Sequence, residues 1–381
     1  MMNALLLEEI LEKEDIIKLH KIHIFTGEDF IRSSPLCVMG CLKCTHTQYD
    51  NILSVFSHWL APNHQTALSL YSIYNGTGLL THLSKIDTAL LGGLPAGTIT
   101  EISGPSGSGK TQFCLMLAVI SSLPTRRGGL GKGVSFIDTN CSFSAKRLIS
   151  IAENWLQSRS ISRTLSDSIK QLADKIKIYT ELTCTGLEKR INALTSAAAT
   201  GETADGDIII IDSLAGLVRK EYDIRTVKGV SDRYQFLSQM SSKLKAYAEE
   251  KRIPVIVTSQ VSTQFSSSAA RGQPSILTSL GISWTHCVDT RLFIEFYKDS
   301  NKRKLSIAKS PTGGLISVIV RIEKKGLILD YHETNLHKLT LLSLFLSPDQ
   351  LDHQISGDSN SYSMTVKDQT DRYTHRVALR E

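Results

Sequence analysis

Hydrophobic positions follow two different periods along the chain. Over residues 1–60 they recur at near-helical spacing from Leu5 to Ile24, and Ser33-Ser34-Pro35 then breaks the pattern. This region therefore predicts a small helical module. From about residue 81, short apolar runs alternate with amphipathic segments, which is the pattern of strands and helices that follow one another.

The alternating region predicts a mostly parallel sheet with helices packed on it. The run Ile208–Ile211 is apolar at every residue, as expected for a strand that is covered on both faces. The predicted strands of this part are Ile99–Ser103, Val134–Asp138, Ile176–Tyr179, Asp207–Asp212 and Pro254–Ser259. The predicted helices are Leu83–Leu91, Lys110–Ser121, Ser144–Leu156, Thr183–Leu194 and Asp232–Lys251.

Four later apolar runs have no helices between them, and we expect them to extend the sheet as antiparallel strands. They are Arg291–Phe296, Lys304–Ile307, Ile316–Ile322 and Gly326–Leu329.

The boundaries of these patterns divide the chain into four segments. A helical N-terminal domain over 1–60 is followed by a linker over 61–80, which contains Asn75-Gly76 and shows little periodicity. The α/β core spans 81–330. The tail over 331–381 is rich in Ser, Asp, Gln and Thr, and we expect it to be variable and largely disordered.

Composition excludes several classes of protein. The chain has 381 residues, of which 41% are hydrophobic and 21% are charged, so wholesale disorder and collagen-like repeats are excluded. No stretch approaches the roughly 18 uninterrupted apolar residues of a membrane-spanning helix, and Met1–Ile10 lacks the basic start of a secretory signal. We therefore expect no membrane partner. The net charge of +6 permits nucleic-acid binding but does not require it.

Seven cysteines, most of them scattered singly, favour a reducing compartment such as the cytosol or the nucleus. Cys37, Cys41, Cys44 and His46 form one cluster, which has two interpretations. It is either a zinc knuckle or a set of small buried hydrophobic residues in a helical region. Its spacing matches no common pair of C-x2-C motifs, and a single short cluster closes a tetrahedron with difficulty, so we favour the second interpretation.

One segment matches a phosphate-binding loop over its full length. Its residues fit G-x-x-x-x-G-K-[ST] and are Gly104, Pro105, Ser106, Gly107, Ser108, Gly109, Lys110 and Thr111. The segment follows the predicted strand Ile99–Ser103 and continues through Gln112 into an apolar helix, which is the context that the motif requires. Glycine allows backbone N–H groups to surround a phosphate, while Lys110 would reach the β- and γ-phosphates and Thr111 would ligate Mg²⁺. The alternative is a glycine-rich turn that arises by chance.

A carboxylate at the end of a second strand complements this loop. Asp212 follows the four isoleucines of the run Ile208–Ile211. In open α/β sheets ligands bind at the carboxyl ends of the strands, so Asp212 would lie near the nucleotide and hold the water shell of Mg²⁺. The alternative is an ordinary strand-end aspartate that caps a turn. Beside a phosphate loop we favour the metal role.

Further motifs resemble those of the RecA-like recombinase family in its eukaryotic branch. They are Leu91–Ile102, Gly104–Cys114, Phe136–Thr139, Phe143–Leu148, Val257–Val261 and Thr290–Leu292. The resemblance covers residues 81–329, and more loosely 1–60, and within the family it is strongest to the recombinase paralogues. It implies an α/β fold with a RecA-like P-loop ATPase core, preceded by a helix-hairpin-helix-like N-terminal domain that helps to bind DNA.

The resemblance also implies ligands, partners and residue roles. The cofactors are ATP and Mg²⁺. The partners are single-stranded and branched DNA and other recombinase paralogues in a hetero-oligomer, the C-type paralogue first, and the location is the nucleus. By position, Arg147 resembles the residue that packs on adenine, Gln260 the sensor of the γ-phosphate, and His286 a residue that links the second DNA-facing loop to the ATP state.

Two segments correspond to the DNA-facing loops of the family. The first, Arg219–Arg233, places five cations around Tyr222, namely Arg219, Lys220, Arg225, Lys228 and Arg233. Such a loop suits a phosphate backbone, although a solvated charged loop has the same composition. The second, Ser262–Ser283, is rich in Ser and Gly and contains Arg271. We expect it either to be mobile and to become ordered on nucleic acid, or to be a plain flexible loop.

Three positions depart from the family's pattern. Asn140 follows Asp138-Thr139, where the family has a glutamate that activates the attacking water, and an amide cannot accept that proton. We therefore predict that ATP binds and is hydrolysed weakly. His64 and Ala67 stand in place of the Phe-x-x-Ala polymerisation motif, so we expect no long self-filaments. Lys309 replaces the aspartate of an Asp-Ser-Pro segment that covers ATP in a neighbouring subunit.

The leading hypothesis is an ATP-binding recombinase-paralogue subunit in the repair of DNA double-strand breaks by homologous recombination. It would bind DNA and partner paralogues, assist recombinase loading, and use ATP mainly as a conformational switch. One alternative is an active DNA-dependent ATPase or strand-exchange recombinase, which Asn140 and His64 argue against. Another is a non-catalytic interaction subunit whose nucleotide is structural. A small-molecule kinase is disfavoured because the sequence has no recognisable lid.

Overall fold

A computed structural model describes much of the chain, over residues 10–22, 24–61, 64–74, 78–157, 165–200, 207–264, 275–278, 280–298 and 301–330. Arg271 and the tail 331–381 lie outside the described residues. The backbone forms two units, residues 1–73 and residues 74–381. No helix among the described residues has the length and apolar content needed to cross a membrane.

Short helices build the N-terminal unit. Their bounds are Lys13–Lys21 (α1), Gly27–Arg32 (α2), Pro35–Leu42 (α3), His46–Leu60 (α4) and Ala67–Tyr74 (α5). Thr26 and Thr45 begin α2 and α4 with capping boxes, in which the threonine hydroxyl accepts a hydrogen bond from the backbone three residues further on. The core of the unit packs the ring of Phe30 against Tyr49 and Phe56, with ring centroids 5.7 and 4.8 Å apart.

The segment 61–80 contains a helix that its sequence pattern does not predict. α5 has the sequence ALSLYSIY, in which apolar residues lie on every side, so no amphipathic stripe marks it. Leu68 and Tyr71 are exposed, and so is His64 ahead of the helix. The linker therefore includes regular structure with an apolar surface.

The cysteine cluster is only partly buried. Cys37, in the first turn of α3, is exposed, whereas Cys44 packs at the edge of the core. Cys41 donates through Sγ to the carbonyl oxygen of Lys18 over 3.2 Å. Among the described residues, no three His, Cys, Asp or Glu side chains are grouped so that they could hold a metal ion. The interpretation as buried hydrophobic residues thus fits Cys44 but is wrong for Cys37.

Among the described residues of the second unit, ten strands form a mixed sheet. Its strands are β1 Ile99–Gly104, β2 Val134–Asp138, β3 Ile176–Thr180, β4 Ile208–Asp212, β5 Val255–Gln264, β6 Ser275–Thr278, β7 Thr290–Phe296, β8 Lys302–Lys309, β9 Ser317–Glu323 and β10 Gly326–Leu329. The strand order is β10-β9-β8-β7-β1-β5-β4-β2-β3, and β6 pairs with β5 outside this path. The strands from β7 to β3 run parallel, while β8, β9 and β10 continue the sheet antiparallel. The predicted fold class is therefore confirmed.

Helices connect and cover these strands. They are α6 Ser84–Ala89, α7 Lys110–Ser122, α8 Ala145–Gln157, α9 Leu165–Asp174, α10 Cys184–Thr200, α11 Leu214–Glu221, α12 Val227–Lys251 and α13 Gly281–Cys287. Every residue of α7 from Phe113 to Ser122 is buried, which explains why this stretch carries no charged side chain. The isoleucines of β4 are also fully buried, in keeping with a strand covered on both faces.

The strand Arg291–Phe296 is antiparallel to β8, as predicted, but its pairing with β1 is not. β7 runs parallel to β1, with Arg291 opposite Glu101. The reason is α13, a short helix between β6 and β7 that carries the chain back before β7 begins. Its sequence, GISWTHC, is too short and too weakly patterned to predict a helix.

Both predicted DNA-facing loops contain regular structure. In the first, α11 extends to Glu221 and α12 begins at Val227, so Arg219, Lys220, Lys228 and Arg233 are all helical. In the second, β5 continues to Gln264 and pairs antiparallel with β6. The expectation of a loop is therefore wrong for the helical ends of the first segment. In the second segment, residues 265–274 and 279 lie outside the described residues, and the expectation of a mobile loop stays a prediction there.

Candidate nucleotide-binding site

Residues 104–111 form a bend between β1 and α7. A Cβ atom on Gly104 would lie 2.1 Å from the carbonyl oxygen of Ile294, so only glycine lets the loop approach the neighbouring strand β7. Gly109 has a φ of +109°, and a Cβ atom there would lie 2.6 Å from Cδ1 of Ile322. These two glycines therefore fix the strand-to-helix geometry that a phosphate cradle requires.

The ammonium group of Lys110 closes the loop from within. Its Nζ donates to the carbonyl oxygens of Gly104 and Pro105, over 2.9 and 2.7 Å. The residue is buried, and burial lowers the pKa of its ammonium group, while the charge of Asp212 acts in the opposite direction. A cation held by neutral carbonyl oxygens gains by exchanging them for phosphate oxygens, which supply the compensating negative charge.

The loop also contains an unsatisfied polar atom. The hydroxyl group of Ser108 is buried and finds no hydrogen-bond partner among the described residues. Buried polar atoms without a partner are rare, and a bound ligand is one common explanation. The loop residues thus fit an anionic ligand that brings its own acceptor oxygens.

Thr111 and Asp212 form the second half of the site. The Thr111 hydroxyl donates to Oδ2 of Asp212 over 2.6 Å, and Thr258 donates to Oδ1 over 2.6 Å. Asp212 lies at the end of β4, and its burial raises the pKa of its carboxyl group, with the two threonine hydrogen bonds opposing that shift. A buried carboxylate beside a hydroxyl supplies the hard oxygen ligands that Mg²⁺ prefers. The two residues therefore fit a magnesium ion next to the phosphate loop.

Asn140 lies beside this centre, at the end of β2. Its Nδ2 donates to Oγ of Ser213 over 3.0 Å, and its backbone N–H donates to Oδ1 of Asp138 over 3.0 Å. Thr139 and Ser213 exchange two further hydrogen bonds of 2.8 Å, so the ends of β2 and β4 are tied together. Asn140 is exposed, and its amide, unlike a carboxylate, cannot take a proton from a water molecule.

Gln260 lies beside the phosphate loop in the sheet. It is paired with Gly104 in the parallel register of β1 and β5. Its Oε1 accepts a hydrogen bond of 2.5 Å from Nη2 of Arg219. Arg219, which the sequence assigns to the first DNA-facing segment, thus contacts Gln260, the predicted sensor of the γ-phosphate.

Arg147, on α8, connects the helix after the loop with the β9–β10 hairpin. Its Nε donates to Oε1 of Gln112 over 2.7 Å, and its other nitrogens donate to the carbonyl oxygens of Glu323 and Lys324. An open cavity of about 480 Å³ lies next to this contact. It is lined by Asn154, Glu323, Lys324, Lys325 and Ile328. Arg147 therefore links the helix that follows the phosphate loop to the hairpin that lines this cavity.

The other predicted DNA-binding cations occupy different environments. Lys220 and Lys228 are exposed. Arg225 forms a salt bridge of 2.9 Å with Asp223, and this pairing raises the pKa of its guanidinium group. Arg233 is half-buried, and burial lowers its pKa. The five cations are thus not one uniform patch, because two are exposed lysines and the arginines have partners within the protein.

Two contacts of the site escape prediction from the sequence. Arg303, on β8, donates through Nε to the carbonyl oxygen of Ser108 over 3.2 Å and stacks on the ring of Phe296. Arg291 pairs with the fully buried Glu101 over 2.5 Å and also donates to Thr285. The local signal for Arg291 is a charged residue inside an apolar strand, which indicates a buried partner without naming it. Arg303 lies between two lysines, where no such signal marks it.

Lys309 makes its hydrogen bonds to backbone groups of the same chain. Its ammonium group donates to the carbonyl oxygens of Thr285 and Val288, over 2.8 and 2.5 Å, at the end of α13. A cation at a helix C-terminus is favourable because the carbonyl groups there carry partial negative charge. His286, in the same helix, is exposed. The lysine therefore stabilises the helix on which His286 lies.

Comparison with known proteins identifies relatives that match most of the chain. The family model described as Rad51 matches residues 77–330. The chain is 35% identical over 368 residues to "DNA repair protein RAD51 homolog 2" of Homo sapiens, and the alignment covers 90% of this chain and 93% of the human protein. It is 29% identical over 329 residues to the protein of the same name from Arabidopsis thaliana, covering 81% and 85%. It is 28% identical over 316 residues to "DNA repair protein rhp57" of Schizosaccharomyces pombe, covering 74% and 87%.

Proposed function

The chain belongs to the Rad51 family of RecA-like proteins as one of its paralogues, and we propose that it is an ATP-binding subunit in the repair of DNA double-strand breaks by homologous recombination. The observation that carries the proposal is the convergence of Lys110, Thr111 and Asp212 at the carboxyl ends of β1 and β4. The names of its relatives, which describe DNA repair proteins, support the biological setting.

The nucleotide would be held by residues of the bend 104–111. Lys110 would donate to the β- and γ-phosphates in place of the carbonyl oxygens of Gly104 and Pro105. Thr111 and Asp212 would hold Mg²⁺, which neutralises phosphate charge when bound. Arg147 would lie against the adenine ring and fix its orientation.

Hydrolysis of this nucleotide would be slow. Asn140 occupies the position from which a carboxylate would take a proton from the attacking water, and its amide already donates to Ser213. Loss of a positioned general base typically costs about 10²–10⁴ in rate. ATP would therefore act mainly as a ligand that changes the conformation of the protein, and the chain would function as a switch.

DNA would bind on the side of the core that carries the ends of α11 and α12. Lys220 and Lys228 are exposed there, whereas Arg225 is paired with Asp223. Exposed lysines attract the phosphate backbone without reading its sequence, which suits single-stranded and branched DNA. The expected consequence is a binding affinity that falls as salt rises.

The partners of the chain would be other recombinase paralogues in a hetero-oligomer within the nucleus, the C-type paralogue first. His64 replaces the aromatic residue that would fill a neighbour's pocket in a self-polymerising member, and α5 exposes Leu68 and Tyr71. An apolar helix of this kind favours burial against another protein chain. In this assembly the protein would assist the loading of the recombinase onto DNA.

The experiment that tests the proposal is co-expression of the chain with the C-type paralogue, followed by titration of the purified complex with ATP in Mg²⁺. Saturable ATP binding, with turnover that single-stranded DNA raises only slightly, is the expected result. Brisk DNA-stimulated turnover would instead favour an active recombinase. Complex formation that survives Lys110→Ala without any loss of function in repair would favour a structural nucleotide.

A further inference from the structure

A cation on the helix that follows β4 contacts a residue beside the phosphate loop. Arg219 lies in the last turn of α11, the helix that begins directly after Asp212 and Ser213. Its Nη2 donates a hydrogen bond of 2.5 Å to Oε1 of Gln260. Because β4 and β5 are neighbours in the sheet, this contact joins the element that follows β4 to a residue of β5. It therefore lies at the edge of the sheet where ligands bind in open α/β folds.

Gln260 marks the point where β5 leaves the parallel sheet. It is the last residue of β5 that pairs with β1, and its partner is Gly104, the first residue of the phosphate loop. From Val261 onward β5 pairs with β6 instead. The guanidinium group of Arg219 is thus hydrogen-bonded directly to Gln260, the residue beside the phosphate loop.

The present partner of Arg219 is weaker than a phosphate would be. The amide oxygen of Gln260 is neutral, whereas phosphate oxygens are charged and accept two guanidinium N–H groups in parallel. The guanidinium already makes a charge-assisted hydrogen bond to this amide oxygen, and a phosphate would add the attraction of an opposite charge. Arg219 is exposed, so its side chain can turn without disturbing the core. A terminal phosphate that reaches Gln260 would therefore attract the guanidinium away from it.

We propose that Arg219 is a specificity-determining residue that makes this site prefer a nucleoside triphosphate to a diphosphate. The inference rests on the proposed nucleotide binding and gives a new role to a residue that the sequence assigns to the DNA-facing segment. A diphosphate lacks the γ-phosphate, so the hydrogen bond between Arg219 and Gln260 would persist when it binds. A triphosphate releases Gln260 and binds Arg219 in exchange.

The test compares the affinities of a non-hydrolysable ATP analogue and of ADP, each with Mg²⁺, by titration calorimetry. Arg219→Ala should weaken the analogue about tenfold or more, since it removes one charge-assisted contact, and should change the affinity for ADP less than about twofold. Arg219→Lys should give an intermediate ratio, because lysine keeps the charge and loses the paired donors. Arg126→Ala, which removes an exposed arginine from the turn Thr125–Arg127, is the matched control and should leave both affinities unchanged.

The outcomes separate this inference from the function on which it rests. If the unaltered protein binds neither nucleotide, the proposed function and the inference are both wrong. If it binds both nucleotides and Arg219→Ala leaves the ratio of their affinities unchanged, only the inference is overturned. A loss of affinity for a fluorescent single-stranded oligonucleotide, with that ratio unchanged, would assign Arg219 to DNA instead. A thermal unfolding scan of each variant confirms that the compared proteins are folded.

Discussion

The hydroxyl group of Thr111 donates a hydrogen bond of 2.6 Å to Oδ2 of Asp212 and so joins the first turn of α7 to the end of β4. The two residues are 101 positions apart in the sequence. Their contact places a magnesium-type oxygen pair directly beside Lys110, the residue that precedes Thr111. This contact is the geometric basis for the proposed nucleotide site. Asp212 alone is indistinguishable from an ordinary aspartate at the end of a strand, whereas a carboxylate and a hydroxyl together supply the oxygen ligands of a metal site.

Replacement of Asp212 should affect the binding of ATP and the stability of the folded protein in opposite directions. Asp212→Asn should weaken Mg²⁺-dependent ATP binding about tenfold or more, because the carboxylate charge is lost. The same variant without ligand should resist urea better than the unaltered protein at pH 7. Burial raises the pKa of this carboxyl group in the folded state above its ordinary value in the unfolded chain. The group therefore makes its full contribution to the free energy of unfolding below the ordinary pKa, and this contribution is lost as the pH rises through the folded-state pKa.

Urea unfolding at several pH values checks the sign of that effect. The difference in stability between the two proteins should shrink as the pH falls below about 4, since the carboxyl is then protonated in both the folded and the unfolded states. Asp223→Asn is a control with the opposite sign, because Arg225 lowers the pKa of that exposed carboxyl. An Asp212→Asn protein that is less stable than the unaltered one at neutral pH would contradict the predicted direction.

Restoring a carboxylate beside the site should increase turnover. Asn140→Glu supplies a group that can accept the proton of an attacking water, and a positioned base is typically worth about 10²–10⁴ in rate. Steady-state phosphate release in the presence of single-stranded DNA measures the change. Asn140→Gln lengthens the side chain without adding a base and should not raise the rate. Rapid hydrolysis by the unaltered chain would show that Asn140 does not limit the reaction.

The exposed lysines should dominate DNA binding. The double variant Lys220→Ala/Lys228→Ala should bind a single-stranded oligonucleotide more weakly, and the slope of log affinity against log salt should become shallower by roughly 0.7 for each phosphate that is no longer neutralised. Arg225→Ala should have a smaller effect, because its guanidinium is already paired with Asp223. Fluorescence anisotropy over a salt series measures both quantities. Equally large effects of replacing Lys220, Lys228 and Arg225 would indicate a diffuse charged surface instead.

Local patterns predict the elements that build the core. The run Ile208–Ile211 is apolar because β4 is covered on both faces. In the bend 104–111, Gly104 is required by a close backbone contact and Gly109 by its positive φ. For this reason the α/β fold and the place of the phosphate loop between β1 and α7 follow from the sequence alone. The direction of β7 does not, because it depends on α13, which is short and weakly patterned.

Contacts between distant segments are what the sequence leaves open. Nothing near Arg219 indicates that its partner is Gln260 rather than DNA, since the pairing arises only when β4 and β5 lie side by side. Arg303 reaches the carbonyl oxygen of Ser108 from a strand that lies far along the chain. The helical ends of the first DNA-facing segment escape prediction for a related reason, because charged residues at a helix terminus resemble those of a solvated loop.

The most direct test of the proposed nucleotide site is calorimetric titration of the purified chain, in complex with its partner if required, with ATP and Mg²⁺. We predict saturable binding by the unaltered protein and an affinity about 10–100-fold lower in Lys110→Ala, because a buried charge-assisted hydrogen bond to phosphate disappears. Lys170→Ala, which removes an exposed lysine from α9, should bind as the unaltered protein does. Absence of ATP binding by the folded protein, or equal binding by Lys110→Ala, would contradict the proposed site.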